Sequence, residues 1–213
     1  MYWNKFTREI VHKQNFVDPN MLVLLVGKSG SGKTTLEKEL VNNFGFKSVK
    51  SYTTRPKRVA NEESHQFVSK EEFDTLENKV AYTCFNGYEY CATKEQLDNA
   101  TIYVIDPDGI EYLRQNYSRN FFIVYIDTDN KVCENRMHKR GDDYNVVKSR
   151  IFNDEIEFEN FANVADVVIN GNKGTQYVLE DFLNAYVLAR LNNRINELEK
   201  EIREWKKLKQ RLP

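Results

Sequence analysis

An α/β fold, a five-stranded parallel sheet flanked by helices, is what this chain predicts, and three observations predict it. Five short apolar runs are continuous rather than alternating, helical patterns lie between them, and a glycine-rich stretch joins the first run to the first helix. Continuous runs rich in Val, Ile and Phe read as strands buried on both faces, the habit of parallel sheets. Strand alternating with helix then requires right-handed crossovers.

The apolar runs are residues 21–26, 46–49, 102–105, 121–126 and 167–169. Helical patterns occupy 33–43 after the first run, 109–115 after the third, and 130–139 then 146–161 after the fourth. Residues 1–20 form a polar-aromatic extension, 21–174 the main domain, and 175–213 a helical C-terminal segment that is strongly charged toward its end. Within the main domain, about 53–100 is long for one crossover and reads as a small inserted subdomain over the C-terminal edge of the sheet.

Composition sets the bounds. The 213 residues suit one domain with appendages. Lys+Arg total 31 against 32 Asp+Glu, a net charge of −1, so neither nucleic acid nor an anionic membrane is an expected partner. Hydrophobic residues make up 40%, with 13 Phe and 12 Tyr, which excludes global disorder. Nine Gly and four Pro are too few for a turn-dense sandwich or a collagen-like chain. Cys84, Cys91 and Cys133 fit no zinc spacing and cannot all pair, as expected of reduced thiols. The first residues lack the apolar core of a signal peptide, and the run 21–26 is too short to cross a bilayer. The expectation is a soluble, cytoplasmic protein.

Gly27-Lys28-Ser29-Gly30-Ser31-Gly32-Lys33-Thr34 satisfies the phosphate-loop pattern G-x-x-x-x-G-K-[ST], between a strand and a helix as that pattern requires. Its glycines let backbone N–H groups turn inward around phosphate oxygens, and the helix start adds partial positive charge. Gly27, Ser29, Gly30, Ser31, Gly32, Lys33, Thr34 and Thr35 are the expected ATP-binding set. Lys33 is expected to reach the β- and γ-phosphates, and Thr34 to ligate the Mg²⁺ that accompanies ATP. The loop alone leaves kinase, GTPase and motor open.

Two further segments carry charge. Residues 51–58, Ser-Tyr-Thr-Thr-Arg-Pro-Lys-Arg, put three cations among several hydroxyls, a cradle for a second phosphate with Arg55 and Arg58 as bidentate partners. A solvated basic loop has the same composition. Arg136 and Arg140 are four apart on one helix face and Arg150 comes from the next helix, so the three can converge on a transferring phosphoryl group. A solvated helix face has the same spacing.

Taken together these segments resemble the guanylate kinase family of nucleoside monophosphate kinases, over residues 21–172. The likeness rests on the loop at 27–34, on 51–58, 67–73, 85–87 with Tyr90, 105–109, the three arginines and 168–170. It implies a P-loop NTPase fold with an insert for the monophosphate and an arginine-bearing lid at about 132–152. It implies that Ser51, Arg55, Arg58 and Tyr90 hold the acceptor phosphate, that Lys33, Arg136, Arg140 and Arg150 serve catalysis, and that Asn170 sits near the donor nucleotide or a lid arginine. Asp106 ends a strand at the catalytic edge, where it could order Mg²⁺-bound water or simply cap a helix.

The base pocket departs from the family. Its guanine-reading Glu is Ala81 here, its Thr/Ser is Ala92, and a phosphate-holding Tyr is His65. A charged hydrogen bond contributes roughly 1.5–3 kcal/mol, so losing the Glu alone weakens guanine preference about 10–100-fold. The resulting expectation is ATP-dependent transfer of a phosphoryl group to a (deoxy)nucleoside monophosphate. The alternatives are a non-catalytic guanylate kinase-like module that binds protein, or a kinase of another small phosphorylated acceptor.

Leu188, Leu191, Ile195, Leu198, Ile202 and Trp205 recur at alternating spacings of three and four, with polar residues between. So narrow a stripe predicts a parallel coiled-coil homodimer; packing of the helix on its own domain is the alternative.

Overall fold

A computed structural model describes residues 16–57, 60, 62–85 and 87–209. In chain order the first half runs β1 (Met21–Val26), α1 (Lys33–Phe44), β2 (Tyr52–Thr53), β3 (Gln66–Phe67), α2 (Lys70–Thr75), β4 (Lys79–Phe85), β5 (Tyr88–Thr93) and α3 (Lys94–Asp98). The second half runs β6 (Ile102–Val104), α4 (Pro107–Asn116), β7 (Asn120–Asp127), α5 (Asn130–Arg140), α6 (Tyr144–Glu157), β8 (Val167–Asn170) and α7 (Thr175–Lys209).

The strands make two sheets. The main one is parallel, in the order β6-β1-β7-β8. It has four strands, not the five that the apolar runs suggest. Run 46–49 meets it through a single bridge, Ser48 with Ile102, beside which Val49 N donates to Ile102 O at 3.0 Å. A few residues later the chain has joined the second sheet, where Tyr52 and Thr53 pair with Cys91 and Tyr90. A segment handed from one sheet to the other over so short a span has room for one bridge in the first.

Burial on both faces explains the continuous apolar runs. Val23 and Leu25 of β1 belong to one core with Leu36 and Leu40 of α1 and Phe182, Leu183 and Tyr186 of α7. Leu22, Leu24 and Val26 belong to the other, with Ile110 and Leu113 of α4 and Ala81 and Ala92 of the second sheet. That second sheet, ordered β3-β2-β5-β4, contains the antiparallel β4–β5 hairpin.

Helix ends follow local chemistry. Asp106 caps α4, accepting from Gly109 N at 2.7 Å, with Pro107 in the first turn. Gly45 and Gly141 end α1 and α5 in left-handed conformations. Helix α6 stops at Glu157, short of the predicted 161, because Phe158 and Phe161 turn onto Tyr125 with ring centroids 5.6 and 5.4 Å away. Helix α7 is continuous: Val178, Phe182, Leu183, Tyr186 and Val187 are buried, whereas the stripe from Leu188 to Trp205 is 40–61% exposed. Among the described residues, no helix is long and apolar enough to cross a membrane.

Candidate active site

The phosphate loop leaves the C-terminal end of β1 and feeds α1. Gly30 and Gly32 have φ of +80° and +109°, and a Cβ on Gly30 would lie 2.7 Å from the Cys133 carbonyl oxygen. Glycine at 30 thus answers both a backbone conformation and a close approach. Lys33 Nζ donates to the Gly27 and Lys28 carbonyls, the latter at 2.9 Å, so the ammonium is curled over its own loop. Burial lowers its pKa, against the opposing charge of Asp154.

Arg136 braces the loop from outside. Its guanidinium donates to Ser31 O at 3.0 Å and Gly30 O at 3.3 Å, and to Gly171 O at 2.9 Å just beyond β8. Arg140 and Arg150 share one counter-ion. Arg140 Nε donates to Asp142 Oδ1 at 2.9 Å, and Arg150 Nη1 lies 3.6 Å from Asp142 Oδ2.

Two cavities adjoin the loop. The larger, about 460 Å³, is lined by the loop, Thr34, Thr35, the three arginines and Gly171. The smaller, about 170 Å³, is lined by Ser51, His65, Tyr82, Thr83, Tyr90, Tyr103, Asp106, Asp154 and Glu157. Ser29, Lys33, His65 and Val104 line both. The cavities therefore meet at the loop lysine, the place where an anion held in one would face an anion held in the other.

Several sequence-selected residues gather there. Ser51 Oγ and His65 Nδ1 are 2.9 Å apart, and the His65 ring stands edge-on to Tyr90 at 5.6 Å. Asp106 caps α4, the second of its two readings, and also lines the smaller cavity. Others lie apart. Arg55 is buried in a bidentate pair with Glu62, at 2.7 and 3.2 Å, with its guanidinium 5.2 Å from the Phe67 ring. It lines neither cavity. Asn170 is exposed, its side chain accepting from Asn172 N at 2.9 Å. Ala81 and Ala92 are buried in the core. Arg58 lies outside the described residues.

Sequence reasoning missed three acids. Besides Asp142, Asp154 and Glu157 project from α6 into the smaller cavity. They follow Arg150 by four and seven residues, so helical spacing alone puts all three on one face. Asp154 Oδ2 accepts from Ser29 N at 2.6 Å. Burial pushes the Glu157 carboxyl up to about 8, with the charges of Asp106 and Asp154 acting the same way. Burial likewise raises Asp106, to about 6, and raises Asp154. Among the described residues, no three His, Cys, Asp or Glu side chains gather in a metal-binding group. A Mg²⁺ ion carried in by phosphates needs less than that, and Thr34 is exposed and lines the larger cavity.

A family model described as guanylate kinase matches residues 19–186. The guanylate kinase of Mycoplasma genitalium is 30% identical over 165 residues, covering 70% of this chain and 68% of that one. The guanylate kinase of Campylobacter jejuni strain RM1221 is 29% identical over 183 residues, covering 79% and 88%. Among solved structures, a guanylate kinase from Anaplasma phagocytophilum superposes with a TM-score of 0.58 at 21% identity, over 79% of this chain and 86% of that one, a likeness of fold.

Proposed function

The chain belongs to the guanylate kinase family, whose members are ATP-dependent nucleoside monophosphate kinases, and from that premise we propose that it transfers the ATP γ-phosphoryl group to a nucleoside or deoxynucleoside monophosphate with relaxed preference for guanine. The observation that carries this reading is the pair of cavities meeting at Lys33. Phosphoryl transfer through a loose transition state asks for in-line placement and charge neutralisation, not for a covalent nucleophile. The larger cavity takes the donor phosphates against the loop amides and the arginines. Ser51, His65 and Tyr90 hold the acceptor phosphate in the smaller one. Mg²⁺, held through Thr34 and the phosphates, supplies charge neutralisation when bound. Retention of Lys33 and Thr34 speaks against a module that only binds protein.

A coupled ADP-release assay with ATP, Mg²⁺ and each ribo- and deoxyribonucleoside monophosphate tests the reading. Turnover with one or more of them supports it. Binding without turnover would select the protein-binding alternative, and activity only on another phosphorylated compound would select the other.

We also propose that α7 pairs two copies of the chain in a parallel coiled coil. Its apolar stripe stands exposed once the helix has passed Val187. With Leu188, Ile195 and Ile202 at a and Leu191, Leu198 and Trp205 at d, Arg194 faces Glu199 of the partner subunit and Glu201 faces Lys206 of the partner subunit, both attractive pairs. In the single chain Arg194 instead pairs along its own helix with Glu197 at 3.1 Å.

A further inference from the structure

One amide of the phosphate loop has a carboxylate for its acceptor. Asp154, 3% exposed, reaches from α6 to accept the Ser29 backbone N–H at 2.6 Å. Such loops bind phosphate by turning backbone N–H groups on it, and a carboxylate oxygen offers the same acceptor with the same sign of charge. Asp154 lines the smaller cavity together with Ser29 and Lys33, two of the residues that mark the junction with the donor side. Lys33, which lines both cavities, meanwhile donates to two loop carbonyls.

We propose that Asp154 is a positioning residue that competes with phosphate for the loop amide and must withdraw, or give up its charge, when the donor binds. This inference rests on the kinase reading above. The groups around the carboxylate fit a resident competitor. Lys33 and Arg150 attract it, and Glu157 and Asp106 line the same cavity. It keeps the Ser29 amide partnered, at the cost of opposing each donor phosphate that arrives. Because Arg150 sits one turn before Asp154 on α6, a shift of that helix that frees the loop also re-aims a lid arginine. Loading of the donor and placement of Arg150 thereby become one motion.

The test is nucleotide binding to full-length protein, wild type against Asp154→Asn, by calorimetry with ATP, with and without Mg²⁺, and with inorganic tripolyphosphate, which lacks the nucleoside. Losing the competing charge should tighten ATP and tripolyphosphate by about 10-fold, the worth of one charged hydrogen bond. ADP should dissociate more slowly from the variant by a factor similar to its gain in affinity. Tighter binding is a gain that a merely structural role would not give. Asp154→Ala should move both polyphosphate affinities in the same direction, which guards against a misfolded Asn variant. Equal or weaker polyphosphate binding by a folded variant overturns the proposal while leaving the kinase reading intact. Failure of the wild type itself to bind either polyphosphate overturns the kinase reading, and this inference with it.

Discussion

Ala81 and Ala92 are paired across the β4–β5 ladder, and both are almost wholly buried, at 1% and 0% exposure. The two positions that the proposed reading matches to guanine readers are thus neighbours here, and both are methyl groups facing a core. Polar groups on the adjoining cavity come instead from Thr83, Tyr103 and Asp106. Guanine selectivity should therefore be about 10–100-fold weaker than two polar readers would give, or moved to another base. Specificity constants for all four bases decide it. A strict preference for GMP or dGMP would assign the reading to another side chain.

Lys33→Ala should lower kcat by at least about 100-fold, the scale of losing one preorganised charge donor in a transition state. Its fold should survive, because the lysine's hydrogen bonds are to its own loop carbonyls. Circular dichroism alongside turnover separates the two. A variant with near wild-type turnover would remove Lys33 from catalysis.

Arg55→Ala should do two things at once. Arg55 and Glu62 are 7% and 13% exposed, so stranding the glutamate should cost about 1.5–3 kcal/mol of stability. The acceptor KM should rise by about 10-fold or more while the ATP KM stays within about 3-fold, as for a cation released from Glu62 to grip the acceptor. Adding Glu62→Gln should recover stability and leave the acceptor KM high. Recovery of both would make Arg55 purely structural.

Stability should fall as pH rises through neutrality. Folding lifts Glu157 to about 8 from an ordinary carboxylate value, so the folded chain holds a proton that the unfolded chain has released. That contribution is full below the ordinary carboxylate range and is lost as pH rises through the folded value. Asp106, at about 6, acts in the same direction over a narrower window. Thermal midpoints should drop between about pH 5 and 8, and Glu157→Gln should flatten the decline. An unchanged slope in the variant would count against the buried carboxyl as its source.

Full-length protein should be dimeric by light scattering at micromolar concentration, and a chain ending at Ala189 monomeric. The stripe spans only three heptads, about 30 Å at 1.5 Å per residue, so the dimer should dissociate on dilution. A monomeric full-length chain excludes it. A dimeric truncation moves the interface elsewhere.

Four of the five strand runs and the phosphate loop were legible because their signals are local. A strand buried on both faces shows as an unbroken apolar run, and a phosphate loop shows its glycines in sequence. Run 46–49 has that composition and still forms only a bridge, since pairing depends on where the chain goes next. Asp142, Asp154 and Glu157 were missed for a related reason. Acids on a charged helix, or in the turn before it, look like solvent-facing residues until packing places them beside Arg150, Ser29 and Asp106. Arg55 shows the converse: its motif suggests a phosphate ligand, whereas in the fold the nearby Glu62 carboxylate claims the guanidinium.

The second sheet leaves and rejoins the main one at a single edge. Lys47 O accepts from both Thr101 N and Ile102 N, and Gln96 Nε2 donates to Lys50 O at 2.7 Å, so the outgoing and returning chains are stitched side by side along β6. An insertion with so narrow a neck is modular. Substitutions within it that preserve the core shared with Leu22, Leu24 and Val26 disturb no backbone pairing among β6, β1, β7 and β8. Acceptor recognition can drift on this scaffold while the donor machinery stays fixed, which is the pattern the chain presents: an unaltered loop at 27–34 beside alanines at 81 and 92.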